Sequence, residues 1–142
     1  MTKELIKVES GDFNIELLLR DKITVITGNS ATGKSFLYKK IDDANIDNII
    51  PIDYRAVKNR ERYNGILDRI KNAKDKVIVI DQADDVQRLY PELTDVIDND
   101  LYNRYIIIGR NPRIIYRPSN LAEMNISDNI IKINYLFKEP LI

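Results

Sequence analysis

The segment Gly28-Asn-Ser-Ala-Thr-Gly33-Lys34-Ser35 most narrows what this chain can become. It fits G-x-x-x-x-G-K-[ST], between the apolar run Ile23–Thr27 and a helical stretch from about Lys34 to Ile41. Glycine at both ends lets the backbone wrap closely, so that successive N–H groups and the helix N-terminus converge on an anion. Lys34 supplies a point charge for the β/γ oxygens of a phosphate chain, and the Ser35 hydroxyl a ligand for Mg²⁺. The segment Gly28, Asn29, Ser30, Ala31, Thr32, Gly33, Lys34, Ser35 and Phe36 is therefore the expected cradle for a nucleotide phosphate.

Composition limits the chemistry around that cradle. The chain has 142 residues, 44% of them apolar, with five Gly and five Pro, which suits one compact domain. We expect residues 1–20 to form an N-terminal hairpin and 22–137 the core. Lys and Arg balance Asp and Glu at 22 each, so no net field draws the protein toward nucleic acid or anionic lipid. Cys and His are both absent from the sequence. That excludes disulfides, Cys/His zinc sites, thiol nucleophiles and every His-based triad. Met1–Val8 is a mixed, charged, strand-like start rather than a leader, and no apolar run approaches a membrane span. A soluble, cytoplasmic protein is expected.

Short β-branched runs alternate with helical spacing, the pattern of βαβ units and a parallel sheet. Strands are expected at 6–8 and 13–19, joined through Ser10-Gly11-Asp12, and at 23–27, 48–53, 77–80, 105–108 and 130–137. Helices are expected at 34–41, 56–73 and 85–97, the last kinked or restarted at Pro91. Ser119 is placed to cap a short helix from Asn120 to Met124. The fold expected is a three-layer α/β sandwich with a mainly parallel sheet of about five strands, extended by the antiparallel N-terminal hairpin.

Lys76-Val-Ile-Val-Ile-Asp81 adds an apolar strand ending in a carboxylate. A strand beside that of the glycine-rich loop would deliver Asp81 to Mg²⁺. Together the two segments resemble the Walker A (Gly28–Ser35) and Walker B (Val77–Asp81) motifs of P-loop NTPases. Within that superfamily the chain is most similar to the additional-strand branch, which includes the AAA+ ATPases. A strand–helix pair lies between the motifs, and Asp81-Gln82-Ala83-Asp84 resembles the D-E-x-D of that family. The resemblance implies ATP and Mg²⁺ as cofactors and a polar sensor after the strand ending Ile106-Ile-Ile-Gly-Arg110-Asn111. L-S-G-G-Q, D-x-x-G and N-K-x-D do not occur, which disfavours ABC-type ATPases and Ras-like GTPases, although the opening strand pair is similar to that of the former.

Two departures from the family pattern matter. Gln82 stands where the family carries the Glu that polarises the attacking water, and an amide can orient water but cannot accept its proton. Asp84 or Asp85 substitutes, a partner supplies the group, or hydrolysis is slow. The family also has a C-terminal helical lid, for which this sequence leaves no residues, so a nucleotide held by the core alone is expected to be weakly held and exposed.

Lys34, Gln82, Asp84, Arg110 and Asn111 are thus the candidate catalytic residues, with Ser35 and Asp81 as metal ligands. Arg113 or Arg117 is a candidate finger toward a protein partner or a second copy of the chain. Asp53 allows a different function, a small-molecule or nucleotide kinase with Asp53 as base, or it simply caps the following helix. A third reading is a nucleotide-gated interaction module without hydrolysis. Charge is segregated: residues 54–76 hold eight basic and three acidic residues, and 81–100 hold seven acidic and one basic. Tyr54 and Tyr63 flank the basic segment, which keeps nucleic acid as a weaker candidate partner.

Overall fold

The first two strands alternate apolar and polar residues, and a computed structural model describing residues 2–27, 33–110 and 120–138 shows what that alternation serves. Strands β1 (Glu4–Ser10) and β2 (Phe13–Leu19) pair antiparallel across a turn in which Gly11 has φ +60°. Their inward residues Ile6, Val8, Ile15, Leu17 and Leu19 are buried. They do not close on themselves. They pack on Leu37, Tyr38 and Ile41 of helix α1 (Lys34–Ala44), whose spacing puts one apolar stripe along the helix. The sheet therefore curls around α1.

Continuous apolar runs form the centre of the sheet. Strands β3 (Ile23–Ile26), β4 (Ile49–Ile52), β5 (Val77–Ile80) and β6 (Arg104–Ile108) are parallel neighbours in the order β3-β6-β5-β4, and β3, β5 and β6 are buried along their whole length. Such strands need cover on both faces. α1 covers one face. Helices α2 (Tyr54–Val57), α3 (Arg60–Asn72), α4 (Ala83–Leu89) and α5 (Leu93–Asn99) cover the other, through Val57, Tyr63, Ile70, Val86, Tyr90, Leu93 and Ile97. Tyr63 and Tyr90 stack with centroids 3.5 Å apart, and the Tyr90 hydroxyl donates to the Val57 carbonyl.

Two expected helices are each divided by a local signal. Asn59 accepts hydrogen bonds from the amides of Glu61 and Arg62, and so starts α3 afresh after α2. Pro91 separates α4 from α5, because the residue before a proline is steered away from helical geometry.

The C-terminal part corrects the expected fold. Residues 121–124 form no helix; they begin strand β7 (Leu121–Ser127), parallel to β3 and antiparallel to β8 (Ile130–Tyr135). Ala122, Met124 and Ile126 face Tyr135, Ile133 and Ile131 across the ladder, so period-two pairing overrides the helix propensity of Leu, Ala, Glu and Met. Asp128 and Asn129, both at positive φ, make the two-residue turn. The expected cap Ser119 lies outside the described residues. β8 pairs parallel with β2 and joins the hairpin to the core. The result is one mixed sheet of eight strands in the order β1-β2-β8-β7-β3-β6-β5-β4, rather than a mainly parallel sheet of about five strands extended by the hairpin. The fifth strand of the parallel block is β7, not 130–137, which runs the other way.

β5 is also not beside β3; β6 lies between them. The near end of β6 is tied down by Arg104, whose guanidinium donates to the carbonyls of Thr2, Leu19 and Asp21 and pairs with Glu4 at 3.0 Å. Glu4 is half exposed, so the carbonyl bonds carry most of the effect. Arg104→Ala leaves the buried Leu19 carbonyl and the part-buried bonds to Thr2 and Asp21 without their donor, and we expect a loss of about 2–3 kcal/mol in urea unfolding. A loss below about 1 kcal/mol, within the range of ordinary surface changes, would contradict this role.

Candidate functional site

The parallel strands β3, β5 and β6 end on one edge of the sheet, and β3 and β5 are followed in the chain by helices α1 and α4, so that edge gathers residues far apart in sequence. A cleft of about 410 Å³ opens there, lined by Lys34, Ser35, Asp81, Gln82, Asp84, Asp85, Arg88, Ile108, Gly109 and Arg110. α1 supplies Lys34 and Ser35, the β5–α4 junction and α4 the acids, Gln82 and Arg88, and the tip of β6 the rest.

Each contributor is set by local structure. Gly33 has φ +83°, a conformation costly for other residues, and its carbonyl accepts from the Leu37 amide to begin α1. The Met124 methyl lies directly over Gly33, so β7 buttresses the start of that helix. The Asp81 amide donates to the Ile52 carbonyl at 2.9 Å, which extends the β4–β5 ladder to the edge. Gln82 follows at φ 50° and ψ 47°, a left-handed residue that turns the chain from β5 into α4. The Gly109 amide donates to the Ile26 carbonyl at 3.2 Å, holding the tip of β6 against β3.

Charge in the cleft is tightly coupled. Lys34 and Asp81 are both buried. Burial pushes the Lys34 ammonium below its ordinary pKa, Arg110 pushes the same way, and Asp84 and Asp81 oppose them. Burial likewise raises the Asp81 carboxyl, with Asp53 adding to the rise, while the Gln82 amide and Lys34 work against it. The side chain of Tyr38, buried on α1, is pushed upward by burial and by Asp42, Asp53 and Asp81.

Of the residues singled out in the sequence, Lys34, Ser35, Asp81, Gln82, Asp84, Asp85 and Arg110 come together in the cleft. Gly33 stands at its threshold. The Phe36 ring is instead edge-on to Phe13, at 5.1 Å between centroids, and packs toward the hairpin. Asp53 caps α2, accepting from the Arg55 amide at 3.2 Å, and does not line the cleft. The basic and acidic segments meet at one described ion pair, Arg60 to Glu92 at 3.8 Å. Gly28, Asn29, Ser30, Ala31, Thr32, Asn111, Arg113 and Arg117 lie outside the described residues. Sequence reasoning passed over Gly109, Arg88 and Tyr38. A glycine at a strand tip next to a suspected sensor was the available signal for the first, whereas no pattern marks the other two.

Ser35 and Asp81 offer two oxygen donors in one cleft, the number and type that suit Mg²⁺ when phosphates and water complete its shell. Among the described residues no group of three acidic side chains gathers to hold a metal without such help. Also among them, no helix is long and apolar enough to cross a membrane. A protein-family model described as an AAA domain matches residues 20–130, well over half of the chain. No curated protein matches it.

The raised pKa of Asp81 makes its ionised form a cost to the fold. The folded state holds this proton more tightly than the unfolded chain, so stability falls as pH rises from the ordinary value to the raised one. Asp81→Asn is expected to raise the urea midpoint at pH 7, with the advantage vanishing as pH falls below the ordinary carboxylate range. An unchanged or lower midpoint at pH 7 would contradict this electrostatic account.

Proposed function

Because this chain belongs to the AAA-domain family, a family of nucleotide-binding P-loop proteins, we propose that it binds ATP with Mg²⁺ and hydrolyses it slowly or only with a partner. The observation that carries this reading is the convergence of Lys34, Ser35, Asp81, Gln82 and Arg110 on one cleft from α1, β5 and β6. Insertion of β6 between β3 and β5 supports assignment to the additional-strand branch.

The roles follow from chemistry and position. Lys34, followed in α1 by Ser35 and preceded by the Gly28–Gly33 loop, neutralises β/γ-phosphate oxygens. Burial and Arg110 disfavour this ammonium while Asp84 and Asp81 favour it, so a polyanion offsets the unfavourable part. Ser35 and Asp81 would hold Mg²⁺, which would supply positive charge to offset the charge developing on the phosphates. Arg110, exposed at the tip of β6 and lining the cleft, is the residue assigned to the γ-phosphate. Gln82 orients water but cannot take its proton, so position 82 lacks the base that the family carries there and turnover depends on another acceptor. An arginine from a protein partner or a second copy would add charge stabilisation where the single chain is weakest.

Calorimetry with ATP and Mg²⁺ tests the binding step. Wild type should bind below millimolar concentration, and Lys34→Ala should weaken binding by about tenfold or more, the loss of one charge-assisted contact. Absence of binding by wild type at millimolar ATP would sink the proposal. For turnover, Gln82→Glu should raise phosphate release by about tenfold or more by restoring a base; an unchanged rate would refute the missing-base account.

A further inference from the structure

We infer that Gly109 is a positioning residue that seats the Asp84 carboxylate in the cleft, and that Asp84 is the group that accepts the proton of the attacking water. The inference rests on the reading above and adds to it which carboxylate acts and what holds it there. A Cβ built on Gly109 would collide with Asp84 Oδ1 and come within 3.4 Å of its Cγ. Only a residue without a side chain lets the carboxylate occupy that place. Asp84 Oδ1 is buried there, while Asp84 as a whole is half-buried and lines the cleft. One oxygen is anchored against the tip of β6 and the residue still reaches the cleft.

The surroundings suit a base. The Asp84 charge acts on the Lys34 ammonium, which places the carboxylate near the group that meets the phosphates. Gln82, two residues earlier, is exposed and has no acidic proton acceptor to offer. Gly109 is fixed in turn by the hydrogen bond its N–H donates to the Ile26 carbonyl at the end of β3. Thus β3, which leads into the glycine-rich loop, and β6, which seats Asp84, are held in one register. In the step itself, a water oxygen attacks the γ-phosphorus and the bond to the β,γ-bridging oxygen breaks. The water proton passes to the Asp84 carboxylate, and ADP leaves with the electron pair of the broken bond.

A double-variant cycle tests this on the full chain, with ATP binding by calorimetry and phosphate release measured for each protein. Asp84→Asn should lower kcat by about a hundredfold with ATP still bound, the usual weight of a general base. Gly109→Ala should lower kcat with little change in KM. The pair combined should be no slower than Asp84→Asn alone, within about twofold, because the glycine acts through the acid. A purely structural role for Gly109 would make the losses multiply, and that result overturns the inference. So does an Asp84→Asn enzyme with wild-type kcat, or a wild type that binds ATP and releases no phosphate. If Gly109→Ala does not fold, Asp84→Glu decides: a carboxylate kept at this position should retain clearly more kcat than Asp84→Asn, and an equal loss in both variants overturns the inference. Wild type that binds no ATP fails at the earlier step, and both readings then fall together.

Discussion

β6 is hydrogen-bonded along both edges, to β3 on one side and β5 on the other, and the cleft exists because of that double pairing. Its start is anchored by Arg104, and its end by the Gly109 amide on Ile26. A strand fixed at both ends sets the spacing between Lys34 on α1 and Asp81 at the tip of β5. Rigid parallel strands are well suited to this, since a charged site on a loop would need to order itself at each encounter.

The same constraint explains why the cleft tolerates electrostatic stress. Lys34 and Asp81 are both buried, and each is shifted toward its neutral form by desolvation. Burying charge is costly unless it is paired or used. The surrounding core, built from the fully covered strands β3, β5 and β6, supplies the stability against which that cost is set. Gln82 in left-handed geometry and Gly109 against Asp84 are further local departures, gathered at the same edge. Sites of function are where such departures persist.

Much of this was legible in the residues. The run Ile23–Thr27, the start of α1 and the strand ending at Asp81 follow from local patterns whose period matches their secondary structure. β2 follows its alternation over the whole of Phe13–Leu19. The C-terminal hairpin was not legible in the same way. Leu121-Ala-Glu-Met carries helix-forming residues, and it becomes a strand because the free edge of β3 and the ladder with β8 accept it. The two-residue turn Asp128-Asn129 was the available clue, yet it marks a hairpin without saying which strand the hairpin joins.

By itself the sequence determined the chemistry open to this protein: no thiol or imidazole, one lysine and one hydroxyl placed after a glycine-rich loop, and a carboxylate at the end of an apolar strand. Those are properties of residue type and short spacing, which survive in any fold that keeps strand, loop and helix in order. Only the tertiary structure decided that β6 separates β3 from β5, that the sheet has eight strands curled around α1, and that Asp84 lies against Gly109. Strand order and side-chain contact depend on which edges and faces are left to be covered once every other element has packed, and no local pattern encodes that.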